Sequence, residues 1–103
     1  MNKLISGVII DETQPLTLEE FCYAIHTEPK IIIQMVEYQL IEPIGESPDE
    51  WRFDSLSLKR ARIAASFHRD LEVNMPGVAL ALELLDQIET LQHQINILEK
   101  NRP

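Results

Sequence analysis

The sequence predicts a mainly helical fold, built as one folding unit of 103 residues. In chain order we expect a short N-terminal strand, two helices joined by a tight turn, a small β wing, a third helix and a long C-terminal helix. Apolar residues recur at intervals of three and four over most of the chain, which is the period of an amphipathic helix. Helix-starting signals precede these stretches, and Pro29 and Pro76 suit first helical turns. No repeat or low-complexity stretch separates the chain into domains.

The first elements are a strand and a short helix. Residues 4–10 are rich in β-branched side chains and end in a polar stretch before Pro15, which predicts the strand. Thr17 and Glu20 have the spacing of a capping box. The apolar face of the following helix consists of Leu18, Phe21, Cys22 and Ile25. The chain's one cysteine, Cys22, has no cation beside it in sequence, which favours a small core residue over a reactive thiol.

A second helix follows a tight turn over residues 26–29 and runs to about Tyr38. Its core side is predicted to consist of Ile32, Met35, Val36 and residues 39–40. Ile31 and Ile33 fall on the flanks, so the helix is more apolar than a core stripe requires. They are therefore candidates for contact with a partner, or alternatively for burial against the wing or the last helix.

The middle of the chain predicts a wing and a third helix. Turn residues at 45–50 lie between Ile44 and an alternating Trp51-Arg52-Phe53 segment, which indicates a small hairpin. Asp54 or Ser55 caps a helix over residues 55–71. Its buried stripe is predicted to be Leu56, Ile63, Phe67 and Leu71. Its opposite, polar face is predicted to be Lys59, Arg62, Ser66 and Arg69.

The last helix, about residues 76–100, changes character along its length. Residues 78–85 are apolar nearly all round, which predicts burial on several sides. The apolar spacing then becomes 4-3-4-3, a heptad pattern. Two heptads alone would be marginal, but together with residues 78–85 they predict a homodimer rather than a helix folded onto its own protomer. We expect residues 1–72 to form a head and 73–103 a dimerisation helix, with the interface at Ala81, Leu84, Ile88, Leu91, Ile95 and Leu98.

The charge is unevenly distributed. The net charge is −8 and the isoelectric point about 4.7, which argues against a general nucleic-acid binder. Residues 1–54 hold three cations and eleven anions, whereas residues 55–103 hold six of each. The acidic half is either a solvated surface that aids solubility or a docking surface for a basic partner.

No catalytic, metal or cofactor site is predicted. The histidines His26, His68 and His93 fall on three different elements, without metal-ligand spacing. Three glycines form no phosphate-binding loop, and no serine or cysteine has the partners of a nucleophile. The adjacent carboxylates Asp49 and Glu50 fall on a loop tip, which does not suit general acid–base catalysis. With neither a signal-peptide pattern nor a membrane-length apolar run, the expected location is the cytoplasm.

The order of elements resembles a MerR-type winged helix-turn-helix head with a C-terminal coiled-coil helix. Within that group, residues 20–22, 40–43, 51–54 and 76–86 resemble the chaperone-modulator CbpM family. The most specific segment is Pro-Gly-Val-Ala-Leu-Ala-Leu at 76–82. The resemblance covers about residues 4–100, nearly the whole chain.

The resemblance implies a protein that binds CbpA, a DnaJ-like co-chaperone that also associates with the nucleoid. Such a modulator occupies the J-domain, so that CbpA no longer stimulates the DnaK chaperone, and it opposes CbpA binding to DNA. J-domains present a basic helix beside a His-Pro-Asp loop, and DnaK contacts that helix. The acidic N-terminal half could compete for it by charge complementarity, with apolar contacts supplying most of the affinity. The candidate partner-binding residues are Glu28, Ile31, Ile33, Glu37 and Glu42.

The alternative is a MerR-type transcription regulator, whose second motif helix would enter the major groove. That helix offers few cations and no arginine, so it is close to electrically neutral: Glu28, Lys30, Gln34 and Glu37. The acidic wing tip would also be repelled by phosphates. Only the basic face of the third helix, with Lys59, Arg62 and Arg69, favours DNA. A purely structural dimerisation module is a third possibility.

Overall fold

In the computed structural model, which describes residues 2–5, 8–11 and 14–102, the chain forms four helices and two small antiparallel sheets. The helices are α1 (Leu18–Ile25), α2 (Pro29–Glu37), α3 (Ser55–Asp70) and α4 (Met75–Lys100). The strands are β1 (Asn2–Ile5), β2 (Val8–Asp11), β3 (Leu16–Thr17) and β4 (Arg52–Phe53). The predicted helical class and order of elements are confirmed.

The N-terminal strand is two strands rather than one. β1 and β2 pair antiparallel, with Lys3 opposite Ile10 and Leu4 opposite Ile9. The prediction of a single strand over residues 4–10 left its backbone groups without a partner, and pairing within the segment provides one. Residues 6 and 7, which join the two strands in sequence, lie outside the described residues.

The wing is closed by β4. On one side β4 pairs with β3, placing Arg52 opposite Thr17 at the start of α1. On its other side, Arg52 and Ile44 exchange two backbone hydrogen bonds of 2.8 Å. Gly45 has a φ of 118°, and a Cβ there would come within 2.7 Å of the Glu50 carbonyl oxygen, so the turn requires glycine. The predicted wing is confirmed as a short loop closed by this bridge.

The helix starts follow the sequence signals. In the capping box, the Thr17 amide donates to Glu20 Oε1 at 2.9 Å and the Glu20 amide donates to Thr17 Oγ1 at 3.2 Å. Asp54 caps α3 and Asn74 caps α4 through their side-chain oxygens, whereas α2 begins with Pro29 and has no side-chain cap. The first three helices are followed by left-handed non-glycine residues, which turn the chain in a short space: His26, Gln39 and Glu72.

The core lies between α1, α2, α3, the wing and the base of α4. Phe21 and Phe53 are fully buried and stacked, with ring centroids 4.3 Å apart. Trp51 packs edge-on against Phe53. Ile32 and Met35 contribute the predicted core side of α2.

The buried face of α3 differs from the predicted one. It consists of Ser57, Leu58, Ala61, Ala64 and Ala65. Leu56 and Leu71 were predicted to be buried, but each is 64% exposed, and Ile63 and Phe67 are only half-buried. The prediction followed the large side chains, whereas alanines let the helix backbone approach the core closely. The predicted polar face of Lys59, Arg62, Ser66 and Arg69 is confirmed as exposed.

α4 joins the head only at its base. Met75, Val78 and Leu82 are buried in the shared core. Residues 78–85 were expected to be buried on several sides, but within the protomer Leu80, Leu84 and Leu85 are exposed. Every residue from 83 to 100 is exposed, so α4 extends about 27 Å beyond the head at 1.5 Å per residue.

Arg60, which the sequence analysis did not single out, fixes the base of α4. Its Nε donates to the Leu40 carbonyl oxygen and its Nη1 to Asp86 Oδ1, both at 2.8 Å. Asp86 lies one turn beyond Leu82, the last buried residue of α4. One half-buried guanidinium therefore connects the loop after α2, helix α3 and the exit of α4.

Candidate partner-binding surfaces

The described residues offer surfaces for partners rather than a chemical centre. Within that part of the chain, no three His, Cys, Asp or Glu side chains come close enough to hold a metal ion. His68 Nδ1 lies 2.9 Å from the Val73 carbonyl oxygen, and His93 is exposed, as its position on the outer face predicts. None of the described helices is long and apolar enough to span a membrane.

The two candidate isoleucines of α2 lie on opposite flanks. Both are half-buried and pack against the core. Because a helix turns by about 100° per residue, Ile31 and Ile33 point about 160° apart. Glu37, one turn after Ile33, lies on the Ile33 flank. The structure therefore does not bring all five predicted partner-binding residues into one surface.

The charges of the Ile31 flank are paired with one another. Glu28 and Ile31 line a shallow pocket of about 310 Å³ between the α1–α2 turn and the end of α3. Lys30, His68 and Arg69 line the same pocket. The Glu28 carboxylate is already 3.5 Å from the Lys30 ammonium. Arg69 is likewise 3.5 Å from a neighbouring carboxylate, so a basic partner would meet carboxylates that already have cationic partners here.

The C-terminal end of α2, the loop after it and the wing carry a series of carboxylates. These carboxylates are all exposed, and none forms an ion pair with a cation of the described residues: Glu37, Glu42, Glu46, Asp49 and Glu50. We call this set, together with Ile33, the acidic surface. Unpaired carboxylates next to a half-buried isoleucine suit a partner that presents cations beside apolar side chains.

The helix that would read DNA in a helix-turn-helix has a neutral outer face. Lys30, Gln34 and Glu37 are exposed at i, i+4 and i+7 of α2. Sequence readers of the major groove place cations and amides there, supported by phosphate contacts nearby. The exposed cations Lys59, Arg62 and Arg69 instead lie on α3.

α4 presents a second apolar face to solvent. Its predicted interface residues Leu84, Ile88, Leu91, Ile95 and Leu98 are exposed, and Ala81 is half-buried. We call these six residues the heptad row. Leu80 is 57% exposed and falls on the same face. The sequence analysis did not assign it to the interface, because it precedes the heptad pattern. The heptad row lies opposite the stripe that packs on the head, so one helix carries two apolar faces.

Cys22 lies in the core, as predicted. Burial raises the pKa of its thiol above the usual value, against a smaller lowering effect of a backbone hydrogen bond. A raised pKa leaves less thiolate at neutral pH, and the thiolate is the reactive form.

We therefore expect Cys22 to react slowly with an aromatic disulfide reagent at neutral pH. The native rate should be at least about tenfold below the rate in about 6 M urea, with glutathione under both conditions as the reference. Equal native and unfolded rates would contradict the burial of this thiol.

Comparison with known proteins identifies a matching family and several relatives of the chain. Residues 16–100 match the family model described as MerR HTH family regulatory protein. The chain is 54% identical to "Chaperone modulatory protein CbpM" of Coxiella burnetii (strain Dugway 5J108-111) over 98 residues, which cover 95% of this chain and 92% of that protein. Proteins of the same name from Pseudomonas putida (strain W619) and Pseudomonas entomophila (strain L48) are 35% and 33% identical over 85 residues, which cover 82% of this chain and 84% of each relative. No solved structure matches the chain.

Proposed function

The chain belongs to the CbpM family of chaperone modulatory proteins, and on that premise we propose that it binds the J-domain of a CbpA-like co-chaperone. Its action is non-enzymatic: it inhibits the co-chaperone and DNA-binding activities of that partner. The place of action is the cytoplasm, where a DnaK system works.

The observation that carries this proposal is the acidic surface. Its exposed carboxylates have no cationic partner among the described residues, and one of them, Glu37, lies one turn after Ile33 on the same flank of α2. Long-range attraction between this surface and the basic helix of a J-domain speeds their encounter, and buried apolar contacts hold the complex. A J-domain helix covered in this way cannot contact DnaK, because the two partners need the same cations.

The second part of the proposal is a homodimer. Residues 73–103 serve as the dimerisation helix, and the heptad row meets the same row of a second copy. Support comes from the exposure of this row along the roughly 27 Å of α4 that project beyond the head. Isoleucine and leucine alternate at the heptad positions, a combination found in two-stranded coiled coils.

A DNA-reading function finds less support. The outer face of α2 is neutral, and the wing that would lie against the phosphates carries Glu46, Asp49 and Glu50. We therefore propose that this protein does not bind duplex DNA in a sequence-specific manner.

We expect titration calorimetry to detect binding of the purified J-domain of the CbpA-like protein encoded in the same genome. A J-domain from a distant DnaJ protein serves as the control and should bind more weakly. Absence of detectable binding with both partners at tens of micromolar, a range that includes weak regulatory complexes, would overturn the J-domain proposal.

Charge reversal and side-chain truncation should separate the two contributions of the acidic surface. The Glu37→Lys, Glu42→Lys variant should mainly slow association, by about tenfold at low salt. Its association rate should also depend less on the salt concentration. Ile33→Ala should mainly speed dissociation. Stopped-flow kinetics measure both, and melting temperatures identify any loss of fold.

The opposite flank of α2 provides matched controls. Glu28→Lys reverses one charge and Ile31→Ala makes the same truncation on the Ile31 flank, where the charged side chains are already paired, and Glu37→Lys alone is the single reversal to compare with Glu28→Lys. The Glu28→Lys and Ile31→Ala variants should leave both rates near the wild-type values. A larger effect from Glu28 and Ile31 than from the acidic surface would move the J-domain to the Ile31 flank.

A further inference from the structure

α3 carries an excess of cations in a chain of the opposite sign. Residues 55–69 contain Lys59, Arg60, Arg62 and Arg69 and no carboxylate. Arg60 pairs with Asp86 at 2.8 Å, and Arg69 pairs with Asp70 at 3.5 Å. Lys59 and Arg62 are exposed and form neither an ion pair nor a side-chain hydrogen bond with any described residue. Acidic residues outnumber Lys and Arg by 17 to 9, so two adjacent cations without an acidic partner stand out.

Apolar side chains lie beside these two cations. Leu56 is one turn before Lys59 and is 64% exposed, and Ile63 is one turn after Lys59 and is half-buried. We call Leu56, Lys59, Arg62 and Ile63 the basic patch. Its four side chains share one solvent-facing side of α3 and span about two helical turns, or roughly 10 Å. Two of these four residues, Leu56 and Ile63, were predicted from the sequence pattern to lie in the core.

The basic patch suits carboxylates that flank an aliphatic side chain. Lys59 and Arg62 lie three positions apart, with Cβ atoms about 5–6 Å from each other. Two carboxylates on the same face of an extended segment are separated by about 6–7 Å, which matches that spacing. An aliphatic side chain of the same segment would cover Leu56 and Ile63 and remove apolar surface from water.

A nucleic acid fits the basic patch less well. A duplex carries a continuous row of phosphates, so it would meet the field of the whole chain, whose net charge is −8. Phosphates also make no favourable contact with an exposed leucine side chain. A short acidic segment presents only a few charges, and these remain within the local reach of Lys59 and Arg62 at physiological salt.

We propose that the basic patch is a second docking surface, which binds an acidic segment of a partner protein with an aliphatic side chain next to its carboxylates. It lies on a different helix from the acidic surface and does not depend on J-domain binding. The protein then has one surface for a basic partner and another for an acidic one.

Peptide selection tests the chemistry of the partner. A phage library of random peptides is first depleted on immobilised full-length Lys59→Glu, Arg62→Glu protein and then selected on the wild type. We expect enrichment of peptides with two or more Asp or Glu residues beside Leu, Ile or Val. Absence of enrichment over the depleted library, or enrichment of peptides without acidic residues, overturns the proposal.

Titration of an enriched peptide, synthesised separately, into isotope-labelled protein tests where on the protein the peptide binds. We expect amide shifts concentrated at residues 55–66, and a dissociation constant raised at least about tenfold by Lys59→Glu, Arg62→Glu, since charge-assisted hydrogen bonds are lost. Lys59→Gln, Arg62→Gln should weaken binding less. Lys100→Glu, Arg102→Glu reverses two exposed cations at the C-terminal end and should change nothing.

Two further results would overturn the proposal. Shifts centred outside α3 would place the peptide elsewhere. A duplex oligonucleotide that shifts the same α3 amides at lower concentration than the peptide would assign the basic patch to nucleic acid. Melting curves of both charge variants show whether either substitution unfolds the protein. If the glutamate variant is unstable, Lys59→Gln, Arg62→Gln serves as the test variant in its place.

Discussion

Replacing Leu84 and Ile88 of the heptad row by aspartate is expected to convert the proposed homodimer into monomers. Both side chains project to solvent in the protomer, so the substitutions leave the core of the head untouched. In a dimer they would bury two unpaired carboxylates from each chain against apolar side chains, at a cost of several kcal/mol per charge. We expect the dissociation constant of the dimer to rise by at least about a hundredfold.

Sedimentation velocity at tens of micromolar measures this change directly. The matched control is Thr90→Asp, His93→Asp, which adds the same charge to exposed positions on the other side of α4. That variant should remain dimeric. A monomeric wild-type protein at this concentration, or an equal loss of dimer in both variants, would contradict the assignment of the interface to the heptad row.

The second large effect is expected at the aromatic stack. Phe53→Ala should lower the free energy of unfolding by about 3–5 kcal/mol, because it removes a fully buried ring and leaves a cavity beside Phe21. That loss is a large fraction of the stability of a domain of this size. It would also weaken the contact between β4 and α1, since the lost ring is the one that stacks on Phe21 of α1.

Urea unfolding followed by circular dichroism measures this loss. Phe53→Leu retains most of the apolar volume and should cost clearly less than the alanine variant. Because unfolding of a dimer depends on concentration, all proteins are compared at one concentration. A loss below about 1 kcal/mol for Phe53→Ala would show that the stack does not hold the wing to the helices.

Local sequence signals predicted the fold well where they act over a few residues. The capping box at Thr17 and Glu20, the Asp54 cap and the turn before Pro29 depend on neighbours in the chain, and the structure confirms each of them. The pairing of β1 with β2 was missed, because a run of β-branched residues does not reveal which strand lies beside it.

The largest error concerned α3, and its cause is physical. A stripe of large apolar residues at helical spacing usually marks the core, and Leu56 and Leu71 followed that rule. The observed core face is made of alanines, whose small side chains carry little periodic signal but permit close helix packing. The correction has a functional consequence, because it places Leu56 on the basic patch.

The candidate partner surfaces were only partly accessible from the sequence. Counting charges located the acidic half of the chain and the polar face of α3. Which carboxylates lack a partner depends on tertiary geometry, as the pairing of Asp86 with Arg60, 26 positions away in sequence, illustrates. The separation of Ile31 from Ile33 follows from helix geometry once the buried side of α2 is known.

The contacts of Arg60 determine how accurately the far end of α4 is positioned. About 27 Å of helix extend beyond the head, so a rotation of only 10° at the base displaces the tip by about 5 Å, close to one helical turn. Such a sideways displacement would misalign the heptad row with the same row of a second copy at the far end of the helix. Arg60 of the head thereby governs the angle at which α4 leaves the head, and variation at Arg60 or Asp86 would re-aim the two acidic surfaces of a dimer relative to each other.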